Sequence, residues 1–399
     1  MQVLDRSKEY RGAHPNFGID TFEFDIPQGE FFEYSLLERT SNVRGGAAII
    51  SEPAPGASGR GLVIKIEWWC NALFPFDDLT RFKYRIRAFS TNFETLRIKN
   101  LMQSITRGKC GAYLKEVGGN TLVSYNENFR FEPASSLKIL HLFHSMLEVK
   151  NGNAWYSELL SVPPGGWCKI KDDNGPYTRM TLEEVMRRMM KNSDNECTEA
   201  IRRRFGKYSL RQTAQTLNMS STLLVHGIGC GWSEEMGGHN YTTLHDLGLI
   251  YEKTANGSVF TDVERNKLTS LMADGIYSEW LAIAQEEGET LGLAQPLIDD
   301  FKSKLYMYNK GGEYSGSAPL PEMGNINGEE RENSIFGVLR VQVKEPAGSL
   351  SFKYYCYGVF VSSLRPNGED SIHKADSARF QGNKELVRKL FTDSLRTYL

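Results

Sequence analysis

Hydrophobic and polar positions predict a group of helices in the middle of the chain. A largely apolar run extends from Leu137 to Val149, while Thr181–Met190 and Glu196–Phe205 are amphipathic with the period of a helix. Thr181 and Glu184 form the sequence pattern of a capping box, which predicts a helix start. Gly206 stands where a glycine typically ends a helix. The residues between the two amphipathic segments are therefore expected to connect two helices.

The first part of the chain is instead rich in residues that favour β-strands. These residues are concentrated in Thr21–Asp25, Phe31–Leu37, Ala47–Ile50 and Leu62–Trp69. Pro53–Gly61 is rich in Pro, Gly and Ser and is typical of a loop. We expect a small β-rich accessory domain over residues 1–93. A second domain over residues 94–399 would follow, with Phe93–Ile105 as its first helix.

A serine and a lysine three residues apart stand at the start of the central apolar segment. On a helix, Ser135 and Lys138 would share one face, one turn from each other. Ser135 would lie in the first turn, where unpaired backbone N–H groups stabilise developing negative charge. Lys138 can act as a base only if burial or a neighbouring cation lowers its pKa. The pair alone is a weak signal, because serine and lysine are common on helix surfaces.

Two further groups of polar residues follow in order along the chain. The triplet Ser193–Asn195, which reads Ser-Asp-Asn, lies in the connection between the amphipathic helices, where its side chains can face a cleft. The triplet Lys310–Gly312, which reads Lys-Gly-Gly, ends the alternating run Leu305–Asn309, and this run predicts a strand. The two glycines would let a ligand lie close against that strand.

This ordered set resembles the Ser-x-x-Lys, Ser-Asp-Asn and Lys-Thr-Gly signature of the class A β-lactamases and penicillin-binding proteins. The resemblance extends over about the last three quarters of the chain. It implies an α+β fold, a class A β-lactamase-like catalytic domain in which helices and a helical lobe flank an antiparallel sheet. The segments that look like elements of that fold are Gly111–Val117, Thr121–Asn126, Asn240–Leu247, Ser334–Val343, Lys353–Ser362 and Asn383–Leu399.

The residue types predict catalysis through an acyl-enzyme. Ser135 would attack a carbonyl carbon, and Lys138 would accept the serine proton. Ser193 would relay a proton to the leaving group, between Lys138 and Lys310. Asn195 would hold either the substrate amide or Lys138 itself.

Positive charge and backbone donors would complete the site. Lys310 would keep Lys138 neutral and attract an anionic substrate. By analogy with the family, the backbone N–H groups of Ser135 and Glu313 would form the oxyanion hole. The residues expected to line the substrate site are Asn195, Gly311, Gly312 and Glu313.

Two departures from the family pattern limit the expected activity. The region that matches the deacylation loop, Gly227–Gly238, lacks the Glu-x-x-x-Asn pattern, and Glu234 and Glu235 are its candidate bases, although surface carboxylates are the simpler interpretation. Gly311 replaces a threonine whose hydroxyl contacts the substrate carboxylate in relatives. Both changes favour an esterase, amidase or acyltransferase over an efficient β-lactamase.

Three hypotheses for function remain open. The first is a serine hydrolase or acyltransferase acting on a small-molecule ester or amide, weak on β-lactams, in a biosynthetic pathway such as those of two-domain clavam relatives. The second is a genuine class A-type β-lactamase or D-Ala-D-Ala carboxypeptidase. The third is an inert binding module of the same fold, against which the complete set of polar residues argues. The sequence does not predict an oligomeric state.

Composition narrows the class of protein further. The chain has 399 residues and a net charge of −2, which argues against nucleic acid as a partner. It has no apolar run long enough to cross a membrane, and its N-terminal residues lack the hydrophobic core of a signal peptide. Its six scattered cysteines are interpreted as free thiols. We therefore expect a cytoplasmic protein, or a secreted one if a signal has been removed.

No cofactor or metal site is expected from the motifs. His141 and His144 lie on one predicted helix, but neither a His-Glu-x-x-His motif nor a cysteine pair accompanies them. We interpret them as packing or surface histidines. The glycine-rich stretch Gly227–Gly231 lacks the strand and helix that flank a dinucleotide site, so we interpret it as a loop.

Overall fold

The chain divides into two compact units, Met1–Leu96 and Arg97–Leu399. The computed structural model describes residues 2–11, 17–26, 30–36, 44–53, 60–71, 81–165, 176–230, 239–272, 275–316, 329–365 and 372–399. The assignment of residues 1–93 as an accessory domain and of residues 94–399 as a catalytic domain stays a prediction.

The first unit is built from antiparallel strands, which confirms its predicted β-rich character. Its two three-stranded sheets have the orders β1-β6-β3 and β2-β5-β4. Strand β1 was not predicted from the sequence, because its many charged residues do not favour strands. Its conformation is determined by pairing with β6 along its whole length. The strands are β1 (Gln2–Arg11), β2 (Phe17–Ile26), β3 (Glu30–Leu36), β4 (Arg44–Pro53), β5 (Arg60–Asn71) and β6 (Arg81–Asn92).

Helix α1 leads into the second unit, where one antiparallel sheet is combined with many helices. A short 3-10 turn, Ala134–Leu137, comes directly before α2. The elements are α1 (Phe93–Ile105), β7 (Lys109–Glu116), β8 (Thr121–Tyr125), α2 (Lys138–Lys150), β9 (Leu159–Val162), β10 (Thr178–Thr181), α3 (Leu182–Lys191), α4 (Asn195–Phe205), α5 (Lys207–Thr216), α6 (Leu244–Ala255), α7 (Asp262–Met272), α8 (Ser278–Thr290), α9 (Gln295–Lys304), β11 (Tyr306–Gly316), β12 (Glu329–Lys344), β13 (Leu350–Arg365) and α10 (Ile372–Arg396).

The main sheet separates two hydrophobic cores. Its five strands have the order β11-β12-β13-β7-β8 and are all antiparallel. Because successive side chains point to opposite faces of a sheet, Leu339 joins a core with α1, α8, α9 and α10, whereas Phe336 joins one with α2 to α7. This arrangement, a sheet flanked by helices beside a helical lobe, confirms the predicted α+β fold.

A buried helix and an aromatic stack position the segment that carries the predicted nucleophile. The α2 residues from Lys138 to Met146 are all buried. Just before α2, Phe129 and Phe131 stack on Phe360 of β13, with ring centroids 5.5 Å and 4.6 Å apart. The chain from this stack to α2 is thereby anchored on the sheet.

The cysteines do not all behave as the sequence suggested. Cys110, Cys197 and Cys356 are free and buried, as predicted. The prediction of a free thiol is wrong for Cys230, which is disulfide-bonded. A disulfide of this kind removes the cysteine argument for a reducing compartment. Separately, no helix in the described part of the chain is long and apolar enough to cross a membrane.

Candidate active site

Ser135 lies in the 3-10 turn that leads into α2, rather than in the first turn of the α-helix itself. The turn begins at Ala134, a non-glycine residue with a positive φ of 44°. The Ala134 N–H donates to Glu132 Oε1 at 3.1 Å, which holds this uncommon backbone conformation. Ser135 is partly exposed, whereas Lys138 is fully buried at the start of α2.

Ser193 occupies the predicted connection between two helices. It has a φ of 56°, in the left-handed region that few residues other than glycine adopt. Asp194 then caps α4, because its Oδ1 accepts from the Cys197 N–H at 2.9 Å. Thr181 caps α3 and Gly206 ends α4, as predicted. These caps fix the two helices and hold the strained residue between them.

The hydroxyl of Ser193 joins the three residues predicted to carry the chemistry. Ser193 Oγ donates to Ser135 Oγ at 2.9 Å. It accepts from Lys310 Nζ at 2.9 Å and from Lys138 Nζ at 3.2 Å. The structure therefore brings Ser135, Lys138, Ser193 and Lys310 into one hydrogen-bonded group.

Lys138 is held in a way that suits a base. Burial and, next, the nearby charge of Lys310 lower its pKa, and against the opposing charge of Asp194 the result is a pKa of about 7. Its Nζ donates to the Ser193 carbonyl and to Asn195 Oδ1, both at 2.6 Å. Two roles were considered for Asn195, holding the substrate amide or holding Lys138. Its hydrogen bond to Lys138 matches the second role.

These contacts define the path of a proton. A neutral amine has two N–H bonds and one lone pair, and the two short bonds to Ser193 O and Asn195 Oδ1 use both N–H bonds. In the charged amine the third N–H of Lys138 donates to Ser193 Oγ at 3.2 Å. Once the amine is neutral, that position holds the lone pair, and the Ser193 hydroxyl can donate to it instead of to Ser135 Oγ. Ser193 thus lies between the predicted nucleophile and the predicted base, and also beside Lys310, and its relay of a proton to the leaving group stays a prediction.

Lys310 supplies positive charge from the other side of the group. It is 8 % exposed, and burial lowers its pKa to about 8. Its Nζ also donates to the Gly311 carbonyl at 3.3 Å. Strand β11 does not end at this lysine, as the sequence suggested, but continues to Gly316, because pairing with β12 extends through both glycines.

The two glycines after Lys310 have different surroundings. A Cβ at Gly312 would collide with Pro133 O and would lie 2.7 Å from Ser136 N and 3.0 Å from Ser135 N. Gly312 is therefore what lets β11 approach the nucleophile turn, in addition to any role in leaving room for a ligand. A Cβ at Gly311 would meet Ser334 O at an ordinary 3.5 Å.

The predicted oxyanion hole involves the part of β11 beside the nucleophile turn, where a Cβ at Gly312 would lie 3.0 Å from Ser135 N. Among the described residues, none accepts a hydrogen bond from the Ser135 N–H. Glu313 follows Gly312 on β11 and is exposed, opposite Asn333 of β12. Its role as second donor remains a prediction. The candidate deacylation bases Glu234 and Glu235 lie outside the described residues.

A hydrogen bond that sequence reasoning did not identify also fixes the turn. Ser334 Oγ of β12 donates to Ser136 Oγ at 3.1 Å, and Ser136 Oγ donates to Pro133 O at 2.8 Å. Both serines are buried. The position of Ser136 beside Ser135 was visible in the sequence, but its partner on β12 becomes a neighbour only in the fold.

Comparison with known proteins assigns the class. Residues 95–331 match the sequence model described as the β-lactamase enzyme family, and the chain belongs to this family of β-lactamase-like serine hydrolases. No curated protein matches it in sequence.

Solved structures support the same fold. A mutant of PBP-A in an acyl-enzyme complex with penicillin G is 18 % identical, with a TM-score of 0.52 over 75 % of this chain and 96 % of that one. A β-lactamase from Chitinophaga pinensis is 16 % identical, with a TM-score of 0.51 over 76 % of this chain and 99 % of that one. At these identities the likeness concerns the fold alone.

The proton path predicts that Ser193 and Lys138 act as a unit. We expect Ser193→Ala and Lys138→Ala each to lower the acylation rate of Ser135 by about 10²–10⁴, the usual worth of general-base help. The double variant should lose little more than either single variant, because removing either residue breaks the same path. The measurement is the rate of labelling by an acylating probe, followed by intact-protein mass spectrometry.

Ser145→Ala is the matched control, since Ser145 is a buried serine of α2 whose Oγ donates to the His141 carbonyl away from the site. In the wild type the rate should fall about tenfold per pH unit below pH 7, where Lys138 becomes protonated and can no longer accept a proton. Near-normal labelling of Ser193→Ala with a large loss in Lys138→Ala would show that Lys138 acts directly on Ser135.

The glycine environments predict opposite effects of one substitution. Gly312→Ala should destabilise the protein by about 1–3 kcal/mol, as overpacking against fixed backbone does, and should slow labelling of Ser135. Gly311→Ala should have little effect on stability, because its Cβ meets only an ordinary contact. Urea unfolding of the two variants checks this, and equal stabilities would contradict the close approach of β11 to the nucleophile turn.

Proposed function

We propose that the protein is a serine hydrolase or acyltransferase that forms an acyl-enzyme at Ser135 on an ester or amide substrate. The observation that supports this most is the bonding of Ser193 Oγ to Ser135, Lys138 and Lys310. An inert binding module would gain nothing from two buried lysines, since each lysine loses hydration on burial. The third hypothesis is therefore not favoured.

Acylation would follow the hydrogen bonds. As Ser135 Oγ attacks the substrate carbonyl carbon, its proton passes to Ser193 Oγ, and the Ser193 proton passes to Lys138 Nζ. The negative charge on the carbonyl oxygen is then stabilised by the N–H groups of Ser135 and Glu313. When the intermediate collapses, the proton returns through Ser193 to the leaving group. Lys310 remains charged and opposes protonation of Lys138 until attack begins.

This site suits a substrate that has no carboxylate needing a hydrogen bond from the residue at position 311. Gly311 offers no hydroxyl, so a penicillin carboxylate would meet Lys310 without the additional hydrogen bond that relatives supply. An ester of a small acyl group needs less recognition of this kind. We therefore place such esters, or an acyl donor of similar size in a biosynthetic pathway, above β-lactams as substrates.

The second candidate is reaction with β-lactams, as a β-lactamase or a D-Ala-D-Ala carboxypeptidase. It is favoured by the structural likeness to PBP-A, one form of which is an acyl-enzyme complex with penicillin G. A penicillin that acylates Ser135 but is released slowly would fit both this likeness and the Glu-x-x-x-Asn pattern missing from the loop sequence.

The nucleophile is tested by covalent labelling. A fluorophosphonate probe and penicillin G should each add one adduct to Ser135, identified by peptide mapping. Ser135→Ala should abolish labelling while its circular dichroism and thermal midpoint stay close to those of the wild type, because Ser135 is partly exposed. An adduct on Ser193 or Ser136 would refute the assignment, and absence of any adduct would favour the binding module.

The substrate preference is tested at Gly311. We expect p-nitrophenyl acetate to turn over faster than nitrocefin in the wild type. Gly311→Thr should speed acylation by penicillin G by about 10–100-fold, the effect of a hydrogen bond to a charged group. Gly311→Val is the matched control, because valine has nearly the same shape and no hydroxyl.

Equal effects of Thr and Val at position 311 would show that shape rather than hydrogen bonding determines penicillin recognition. Rapid nitrocefin turnover in the wild type that is lost in Glu234→Gln or Glu235→Gln would identify a working deacylation base. The second candidate function would then replace the first.

A further inference from the structure

Three buried side chains form a cluster that includes Glu132, two residues before the nucleophile turn begins at Ala134. Glu132, His226 and His239 are 2 %, 6 % and 2 % exposed. Each offers one ligand atom, and these atoms all lie within 4.8 Å of one another. None of the three has a part in the acylation path.

His226 presents a lone pair to this cluster. Its Nδ1 lies 2.9 Å from the Gly227 carbonyl oxygen, and a carbonyl can only accept, so the proton is on Nδ1. Asn240 fixes the loop from the other side, because its Oδ1 accepts from the Val225 and His226 N–H groups at 2.7 Å and 3.1 Å. Nε2 of His226 is therefore the unprotonated nitrogen, and it is buried with no hydrogen-bond partner among the described residues.

Glu132 presents a second acceptor. Its Oε1 accepts from the Ala134 N–H, while its Oε2 is buried and has no hydrogen-bond partner in the described part of the chain. His239 Nδ1 lies 3.5 Å from this oxygen. The His239 ring is held edge-on to Tyr314 of β11, with centroids 5.5 Å apart and an interplanar angle of 90°.

A buried carboxylate oxygen and a buried imidazole nitrogen, neither with a hydrogen-bond partner among the described residues, need a cation or a donor nearby. A buried carboxylate without such compensation is strongly unfavourable. A water molecule has two protons to donate, whereas a cation satisfies the carboxylate oxygen and both imidazoles at once. Two imidazole nitrogens and one carboxylate oxygen form a donor set that Zn²⁺ favours, with a fourth position left for water.

One pair of side chains already has the spacing that this ion requires. Bonds of about 2.1 Å in a tetrahedral site place ligand atoms about 3.4 Å apart. The separation of Glu132 Oε2 and His239 Nδ1, 3.5 Å, already has this value. The Nδ1–H bond of His226 to a carbonyl is the second contact that typically orients a metal-bound imidazole.

We propose that Glu132, His226 and His239 bind a Zn²⁺-like divalent cation that fastens the chain on both sides of residues 231–238 to the nucleophile turn. His226 precedes those residues and His239 follows them, whereas Glu132 holds the Ala134 N–H beside Ser135. The cation is structural in this role, and the proposal does not depend on the acyl-enzyme function.

Direct binding measurements on tag-free full-length protein test the site. After dialysis against a chelator, the wild type should bind about one Zn²⁺ or Co²⁺ per chain, and the thermal midpoint should rise when the cation is added. Loss of even an outer contact weakens metal affinity about 10–100-fold, so Glu132→Gln, His226→Gln and His239→Gln should each weaken binding at least this much. His245→Gln is the matched control, because His245 is a partly exposed histidine of α6 outside the cluster.

Each outcome decides the question. Weakened binding in the three cluster variants with wild-type binding in His245→Gln supports the site. Absence of binding to the wild type, or equal binding by all variants, overturns it in favour of a Glu132–His239 ion pair or adventitious surface binding. If the variants fail to fold, X-ray absorption of Zn²⁺-loaded wild type decides instead: a shell of nitrogen and oxygen with two imidazoles supports the site, and a shell containing sulfur overturns it.

Discussion

The site depends on one hydroxyl, that of Ser193, which is bonded to two buried lysine side chains and to a second serine. Two like charges cannot easily share a dry space, so the arrangement favours loss of a proton from one lysine. Lys138 is the lysine that loses it more readily, because burial and the charge of Lys310 both lower its pKa, whereas burial alone lowers the pKa of Lys310. A base that is half unprotonated near neutral pH is thus produced by burial and by a neighbour of the same charge, without any carboxylate in direct contact.

Several residues with strained backbone or close packing hold the Ser193 hydroxyl in place. Ser193 adopts a left-handed backbone conformation, and the bond from Lys138 Nζ to its carbonyl stabilises it. Gly229 presses on Asn195, where a Cβ would lie within about 3 Å of side-chain atoms, and Gly312 lets β11 approach the turn. The cost of each position is offset by packing of α2 and the sheet, which bury far more apolar surface than the site itself.

The helices and the motifs could be found in the sequence because they are local signals, namely periodicity, caps and short spacings, and the α+β fold was implied by the resemblance that the motifs carry. The sequence predicted the helix ends at Thr181 and Gly206, where a single residue determines the backbone. It could not show that β11 continues past Lys310, because strand pairing with β12 is a long-range interaction that glycines alone disfavour. Nor could it find Glu132, His226 and His239 as a group, since no spacing rule relates residues that only the fold brings together.

Acylation and deacylation therefore rest on different parts of this molecule. The groups proposed to form the acyl-enzyme lie in the 3-10 turn before α2, on α2, on β11 and in the connection between α3 and α4. The chain that would supply a deacylation base follows Cys230, a disulfide-bonded residue, and leads to His239 of the proposed cation site. In the proposed mechanism the same nucleophile and base would serve transfer of the acyl group to water and to another acceptor.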